Sequence, residues 1–336
     1  MIKNALRVEN DARGTAVLIK MHLPKEYAMP QNIIDFEDAV RKGDHIVRGT
    51  AADGMIRALA INAHDTVQTA REKHGTSPLV TAALGRLMMG GQMMGAMFKN
   101  PGELITLSVK GNGPIGGLTV TANTDGQVKG YPDHSDVWLP LKPNGKLDVG
   151  AGIGQGTLTV IRDQPGTEPY SSRVELATGE IGGDLTYYFL MSDQVPTSVG
   201  VGVLVDRDTS VRQAGGFILQ LMPGYENAVV DQLEANLKGV KSVTDMFEAG
   251  MTPTNVLEYL LRDMDYLELE TMPAEFHCGC SEERALRAMR TLTAEDIQDM
   301  VDKGEPVETT CEFCGKTYRF DPAALKDLLQ QKQDGE

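Results

Sequence analysis

No run of about eighteen apolar residues, the length that spans a bilayer, occurs in this 336-residue chain. The richest apolar stretch, LMMGGQMMGAMF at 87–98, is too short and is interrupted by Gln92 and glycines, so it reads as a buried or binding helix. The first residues, MIKNALRVENDARG, are charged and lack the apolar centre of a secretory signal. Positive charge is scarce too: 32 Lys and Arg stand against 47 Asp and Glu, a formal net charge of -15. Such a surface repels phosphate backbones, and the thin basic group of Arg284, Lys316 and Arg319 does not overcome it. These absences predict a globular cytoplasmic protein with neither a membrane nor a nucleic-acid partner. The length allows two or three domains, and 41% hydrophobic residues supply a sizeable core.

Catalytic groupings are missing as well. The six histidines and many carboxylates fall into no catalytic spacing, and Ser171-Ser172 lacks the context of a nucleophile elbow. Gly111-Asn112-Gly113-Pro114-Ile115-Gly116 satisfies GxGxxG, yet it lies between two strand patterns and Pro114 suits a hairpin turn better than a phosphate loop. Gly150, Gly152, Gly154 and Gly156 also precede a strand pattern and read as a turn or bulge. The chain is therefore expected to have no catalytic and no organic-cofactor-binding residues, and not to be an enzyme.

The patterns that are present belong to the α+β class. Residues 15–21 read as a strand within an N-terminal extension, 1–43, of no assigned role. A core domain is expected over 44–224. It opens with a hairpin around Ala52-Asp53-Gly54, and then a helix begins at Ser77 as cap with Pro78 in the first turn and runs to Phe98. Alternating β-branched positions separated by Gly, Asn and Asp then predict an antiparallel sheet, followed by a helix over 181–192 and a strand pair ending near Pro223. Met89, Met93 and Met97 repeat at helical spacing and are read as core in preference to a client-binding face. From 225 to 277 the period becomes helical. Val229, Val230, Leu233 and Leu237 share a face, as do Val256, Leu257, Leu260 and Leu261. Eleven acidic residues against three basic ones give this linker a formal charge of -8, and that self-repulsion lowers its stability.

All four cysteines fall in the last sixty or so residues, as Cys278-Gly279-Cys280 and Cys311-Glu312-Phe313-Cys314-Gly315. Clustered thiols in a reducing compartment point to metal before a disulfide scaffold. A CxxCG knuckle presents two sulfurs to one ion, with Gly315 free to take the positive φ of the turn. The CxC half completes a closed tetrahedral zinc site, Cys278, Cys280, Cys311 and Cys314, leaving the neighbouring His277 outside it. Around it, Ser281, Thr293 to Asp296, Gly304 and Asp321-Pro322 punctuate three short helices, and Tyr318 and Phe320 alternate in a strand. The domain 278–336 has few large apolar side chains, so zinc binding, roughly 10–16 kcal/mol at structural sites, dominates its folding. Residues two apart in an extended chain sit at the edge of disulfide reach, so a Cys278–Cys280 bond closes only with strain and reverses easily, which suits regulation. A dithiol oxidoreductase using Cys311 and Cys314 is the alternative, but its CxxC ordinarily opens a helix after a strand.

Over 44–332 the chain resembles the 33 kDa redox-regulated chaperonins. The resemblance is carried by HGTSP, AALGR, GNGPIGG, GKLDV, TYYF, DQVPTSVGVGVLV, AGGFILQLMPG, ETMPAEFHCGCSEER, EDIQDM and CEFCGKTYRF. It implies a core of stacked sheets and helices, a metastable linker, and a zinc domain that forms disulfides Cys278–Cys280 and Cys311–Cys314 on oxidation. It further implies an ATP-independent holdase, inactive while reduced, that binds unfolding clients and forms a homodimer on activation.

Overall fold

The computed structural model describes residues 9–10, 16–17, 42–240 and 242–334. The chain divides into two units, Met1–Ala39 and Val40–Glu336. In the first, β1 (Glu9–Asn10) pairs antiparallel with β2 (Ala16–Val17), and the remainder of the strand expected over 15–21 lies outside the described residues. The second opens with the expected hairpin, β3 (His45–Ala51) against β4 (Ile56–Asn62). At its turn Ala52, Asp53 and Gly54 take φ of 50, 52 and 87°. Only the glycine does so freely, and the Ala52 N–H is held by donating to the Met264 carbonyl at 2.7 Å.

Helix α1 (His64–His74) follows without a sequence signal, because its cap position is Ala63, which has no side-chain acceptor. Helix α2 (Pro78–Gly95) begins as expected, with Ser77 Oγ accepting from the Val80 N–H. It is buried almost all round because it lies between two sheets, which is why it is apolar on every face. Met89 and Met93 are fully buried within that core and Met97 packs against it, in keeping with a core role. The helix stops at Gly95, short of Phe98; a Cβ at Gly95 would lie 2.5 Å from the Asn123 carbonyl oxygen, so only glycine admits this contact with the sheet.

One sheet is built from β5 (Leu104–Gly111), β6 (Gly117–Asn123), β7 (Gln127–Pro132), β8 (Gly156–Asp163) and β9 (Tyr170–Glu175), antiparallel in the order β7-β6-β5-β8-β9. The GxGxxG segment is the β5–β6 turn. Its Asn112, Gly113 and Ile115 amides donate to the Gln155, Ile153 and Gly152 carbonyls at 2.9, 2.8 and 3.0 Å, so they are not free for a phosphate. The second glycine run is the other half of this contact. Where a turn or bulge is expected, it forms a short helix, α3 (Val149–Ile153), whose Ala151 N–H is capped by Asp148.

Glu180 anchors this region by accepting from the Gly150 N–H at 3.0 Å, from Arg86 at 2.7 Å and from Lys142. Burial raises its pKa, but Lys142, Arg86 and the Gly150 amide outweigh that and leave it below the ordinary 4.5. A carboxylate depressed in the folded state contributes stability above its unfolded pKa and loses that contribution as pH falls through the folded value. Glu180→Gln should therefore cost roughly 1.5–3 kcal/mol near neutral pH, and the gap to wild type in urea melts should close on acidification. A gap unchanged by acid would contradict this assignment.

Helix α4 (Gly182–Tyr188) runs into a π-helical turn, Phe189–Asp193, ended by Gln194 at φ 57°; together they occupy the helix expected over 181–192. The expected strand pair is β10 (Thr197–Val205) and β11 (Val211–Leu221). With the hairpin these strands form the second sheet, whose outer face carries Val47, Ala58, Ala60, Phe217 and Leu219. Helices α5 (Asn227–Leu237), α6 (Val243–Glu248) and α7 (Pro253–Leu260) cover that face with Phe247, Val256, Leu257 and Leu260. Buried Asn236 of α5 donates to the Leu260 and Arg262 carbonyls at 3.1 and 2.9 Å, satisfying backbone acceptors at the end of α7.

The helical period expected through 277 ends sooner. Residues Leu267–Pro273 are a strand, β12, antiparallel to β3 at the sheet edge, giving the order β10-β11-β4-β3-β12. The physical reason is the sequence LELETMP, whose period is two rather than 3.6. A two-residue strand, β13 (Glu275–Phe276), then adds to β7 in parallel.

Candidate metal centre

The chain reaches its first cysteine along a fixed path. After β13, the His277 N–H donates to the Val128 carbonyl of β7 at 2.8 Å, and Cys278 follows at once. Beyond Cys280, Ser281 caps α8 (Glu282–Met289) by accepting from the Arg284 N–H, and a Thr293–Asp296 capping box starts α9 (Ala294–Lys303), which Gly304 ends at φ 69°. The other two cysteines lie on the turn between β14 (Val307–Thr310) and β15 (Thr317–Phe320), an antiparallel pair. There the Cys314 and Gly315 amides donate to the Cys311 carbonyl at 3.2 and 2.8 Å, and Gly315 has φ 70°, the expected knuckle. Helix α10 (Pro322–Asp334) closes the segment. Its Leu325, Leu328 and Leu329 join Met289, Ile297 and Phe320 in a small apolar core, against which Cys280 packs.

The four sulfurs converge. Cys278, Cys280, Cys311 and Cys314 place their Sγ atoms within 4.8 Å of one another, each thiol half-buried. The Cys278–Cys311 and Cys280–Cys314 separations are 3.7 and 3.4 Å. Sulfurs at the corners of a tetrahedron with bonds of about 2.3 Å lie about 3.8 Å apart, so this donor set fits a single thiolate-bound cation. Among the described residues it is the one cluster of three or more metal-binding side chains, and His277 is not in it.

The thiols are inequivalent. Burial, reinforced by the neighbouring sulfurs, pushes Cys278 up to about 12, and burial also raises Cys314. Burial opposes ionisation of Cys280 too, but the Tyr318 hydroxyl, which donates to its Sγ at 3.1 Å, and the other three thiols bring it down to about 7. Cys280 is therefore eased toward the thiolate, the form that binds metal and reacts with oxidants, where Cys278 and Cys314 are held back from it. Tyr318 appears in the sequence only as a strand aromatic; its bond to sulfur follows from the fold, because the hairpin register turns it inward.

Two further groups are accounted for here. Cys311 and Cys314 sit in a β-hairpin knuckle and not at a helix start, so the geometry is not that of a dithiol oxidoreductase. The thin basic group is engaged locally: Arg284 donates to the Gly279 carbonyl at 2.7 Å, Arg319 pairs with Glu308 at 3.7 Å, and Lys316 lies over the Tyr318 ring at 4.9 Å. Among the described residues no helix is long and apolar enough to cross a membrane.

The chain thus combines two sheets around a buried helix, an outer helical layer, and a small module built on four converging thiols. A family model described as Hsp33 protein matches residues 44–321. The 33 kDa chaperonin of Agathobacter rectalis is 50% identical over 285 residues, 85% of this chain and 99% of the relative. That of Geobacillus kaustophilus is 45% identical over 289 residues, 86% and 98% of the two chains. The crystal structure of a 33 kDa chaperonin from Thermotoga maritima matches with a TM-score of 0.80 at 35% identity, covering 87% of this chain and 99% of that one. The chain belongs to the Hsp33 family of chaperones.

Proposed function

We propose that this protein is a redox-regulated, ATP-independent holdase of the cytoplasm, silent while reduced and zinc-bound and active once its four cysteines are oxidised. The observation that carries the reading is the convergence of four thiols, 3.4–3.7 Å apart in two cross-motif pairs, in a module with a small core of its own. Zinc, when bound, would hold Cys278, Cys280, Cys311 and Cys314 as thiolates and tie the two motifs together. Each pair of thiolates gives two electrons to one molecule of peroxide, which takes up two protons and leaves as two waters. The products are the disulfides Cys278–Cys280 and Cys311–Cys314. Both close loops within a single motif, so neither replaces the cross-motif tie. The module then loses its main support, the acidic helices α5 to α7 lose the order they have on the sheet, and apolar surface becomes available to unfolding clients and to a second copy of the chain.

The test is light scattering from a heat-denatured client. Peroxide-treated protein should suppress aggregation at a few equivalents, with two disulfides and no zinc by mass spectrometry, whereas the reduced zinc form should not. Equal suppression by both forms would reject the switch.

A further inference from the structure

We infer that Phe313, between the two cysteines of the knuckle, is the positioning residue that seats the cysteine centre on strand β7, with Tyr131, Lys129 and His74 as its receiving surface. The inference deepens the reading of this centre as a metal-bound switch and rests on it.

Phe313 does not belong to the small core of its own module. Its ring instead meets Tyr131 of β7 edge to face, with centroids 5.0 Å apart and an interplanar angle of 85°. The Lys129 ammonium lies 4.4 Å from the same ring centre. Lys129 and Tyr131 are two apart on one strand and share the face opposite Val128 and Gly130, which are buried in the main core. The Phe313 carbonyl accepts from His74 Nε2 at 3.1 Å, at the end of α1. The knuckle is thus gripped by its ring and by its backbone.

The same strand holds the other cysteine pair. Glu275 and Phe276 pair with Gln127 and Val128, and the His277 N–H reaches the Val128 carbonyl, one residue before Cys278. Gln127 also donates to Glu275 at 2.7 Å. Strand β7 therefore fixes the CxC motif through backbone pairing and the CxxC motif through Phe313. The core acts as a template that brings the two sulfur pairs together. An aromatic pair together with a cation over the ring is sufficient to change an equilibrium by about tenfold.

The experiment is a double-mutant cycle on zinc release to a chromogenic chelator, using the reduced full-length protein. Phe313→Ala should accelerate release by about tenfold and, from the opposite side of the contact, Tyr131→Ala by about fivefold, since Lys129 stays over the ring. The double variant should be little faster than Phe313→Ala alone, because that substitution already removes the contact with Tyr131. Phe313→Tyr should restore most of the wild-type rate, and alkylation of Cys280 should follow the same order. Far-UV circular dichroism of the zinc-loaded variants, matching wild type, separates loss of the contact from loss of the fold. Unchanged release in Tyr131→Ala, or effects that simply multiply in the double variant, would overturn the inference. Failure of the chaperone reading looks different: oxidised wild type would not hold clients, while the coupling between residues 131 and 313 would persist.

Discussion

Removing the metal from the reduced protein should unfold residues 278–334 while leaving the two-sheet core intact. The buried apolar side chains of the module number only a handful, contributed by short helices and one hairpin. So small a core does not by itself hold more than fifty residues in order, and a structural zinc site contributes roughly 10–16 kcal/mol. Limited proteolysis of the chelated, reduced protein should therefore cut between 278 and 334 at least about a hundredfold faster than in the zinc form. A fragment that carries the two-sheet core and ends before 278 should persist. Protection equal to that of the zinc form would show that the sulfurs are not the support of the module.

The second large effect should come from the outer helical layer. Leu257 of α7 is fully buried against the face formed by β3, β4 and β11. Leu257→Ala leaves a cavity there and should cost about 2–5 kcal/mol. That loss falls on the helical layer, so α5 to α7 should open in the reduced, zinc-bound protein. The expected result is holdase activity without any oxidant, with zinc still bound. Glu258→Gln, an exposed change on the same helix, should leave the reduced protein silent. If Leu257→Ala lowers the unfolding temperature but the reduced variant holds no client, uncovering this face is not what activates the protein.

These effects depend on features that differ in how openly the sequence displays them. The hairpin at 45–62, the capped helix at 78, the capping box at 293 and the knuckle at 311–315 are legible because each is set by local chemistry: a turn residue, a side-chain cap, a glycine with positive φ. The cysteine cluster was legible for the same reason, its four members lying in two short motifs. Helix α1 was not, since Ala63 offers no cap. Strand β12 is obscured because the short two-residue alternation of LELETMP directly follows apolar stripes of helical period. The Tyr318–Cys280 and Phe313–Tyr131 contacts are properties of register and docking, which no local pattern encodes. The linker's helices were visible as apolar stripes, but which sheet face receives them follows only from the order β10-β11-β4-β3-β12.

The direct join between β12 and the cysteines has a mechanical outcome. Pro273 ends one strand, Glu275 begins the next, and Cys278 comes three residues later. There is no slack in this stretch to absorb a disturbance. Between the sulfurs and α7 the chain is held first by β13 on β7 and then by β12 on β3, so on the proposed reading fraying meets those pairings in that order. The path resembles a zip fastener pulled from its C-terminal end, and its order is set by connectivity alone.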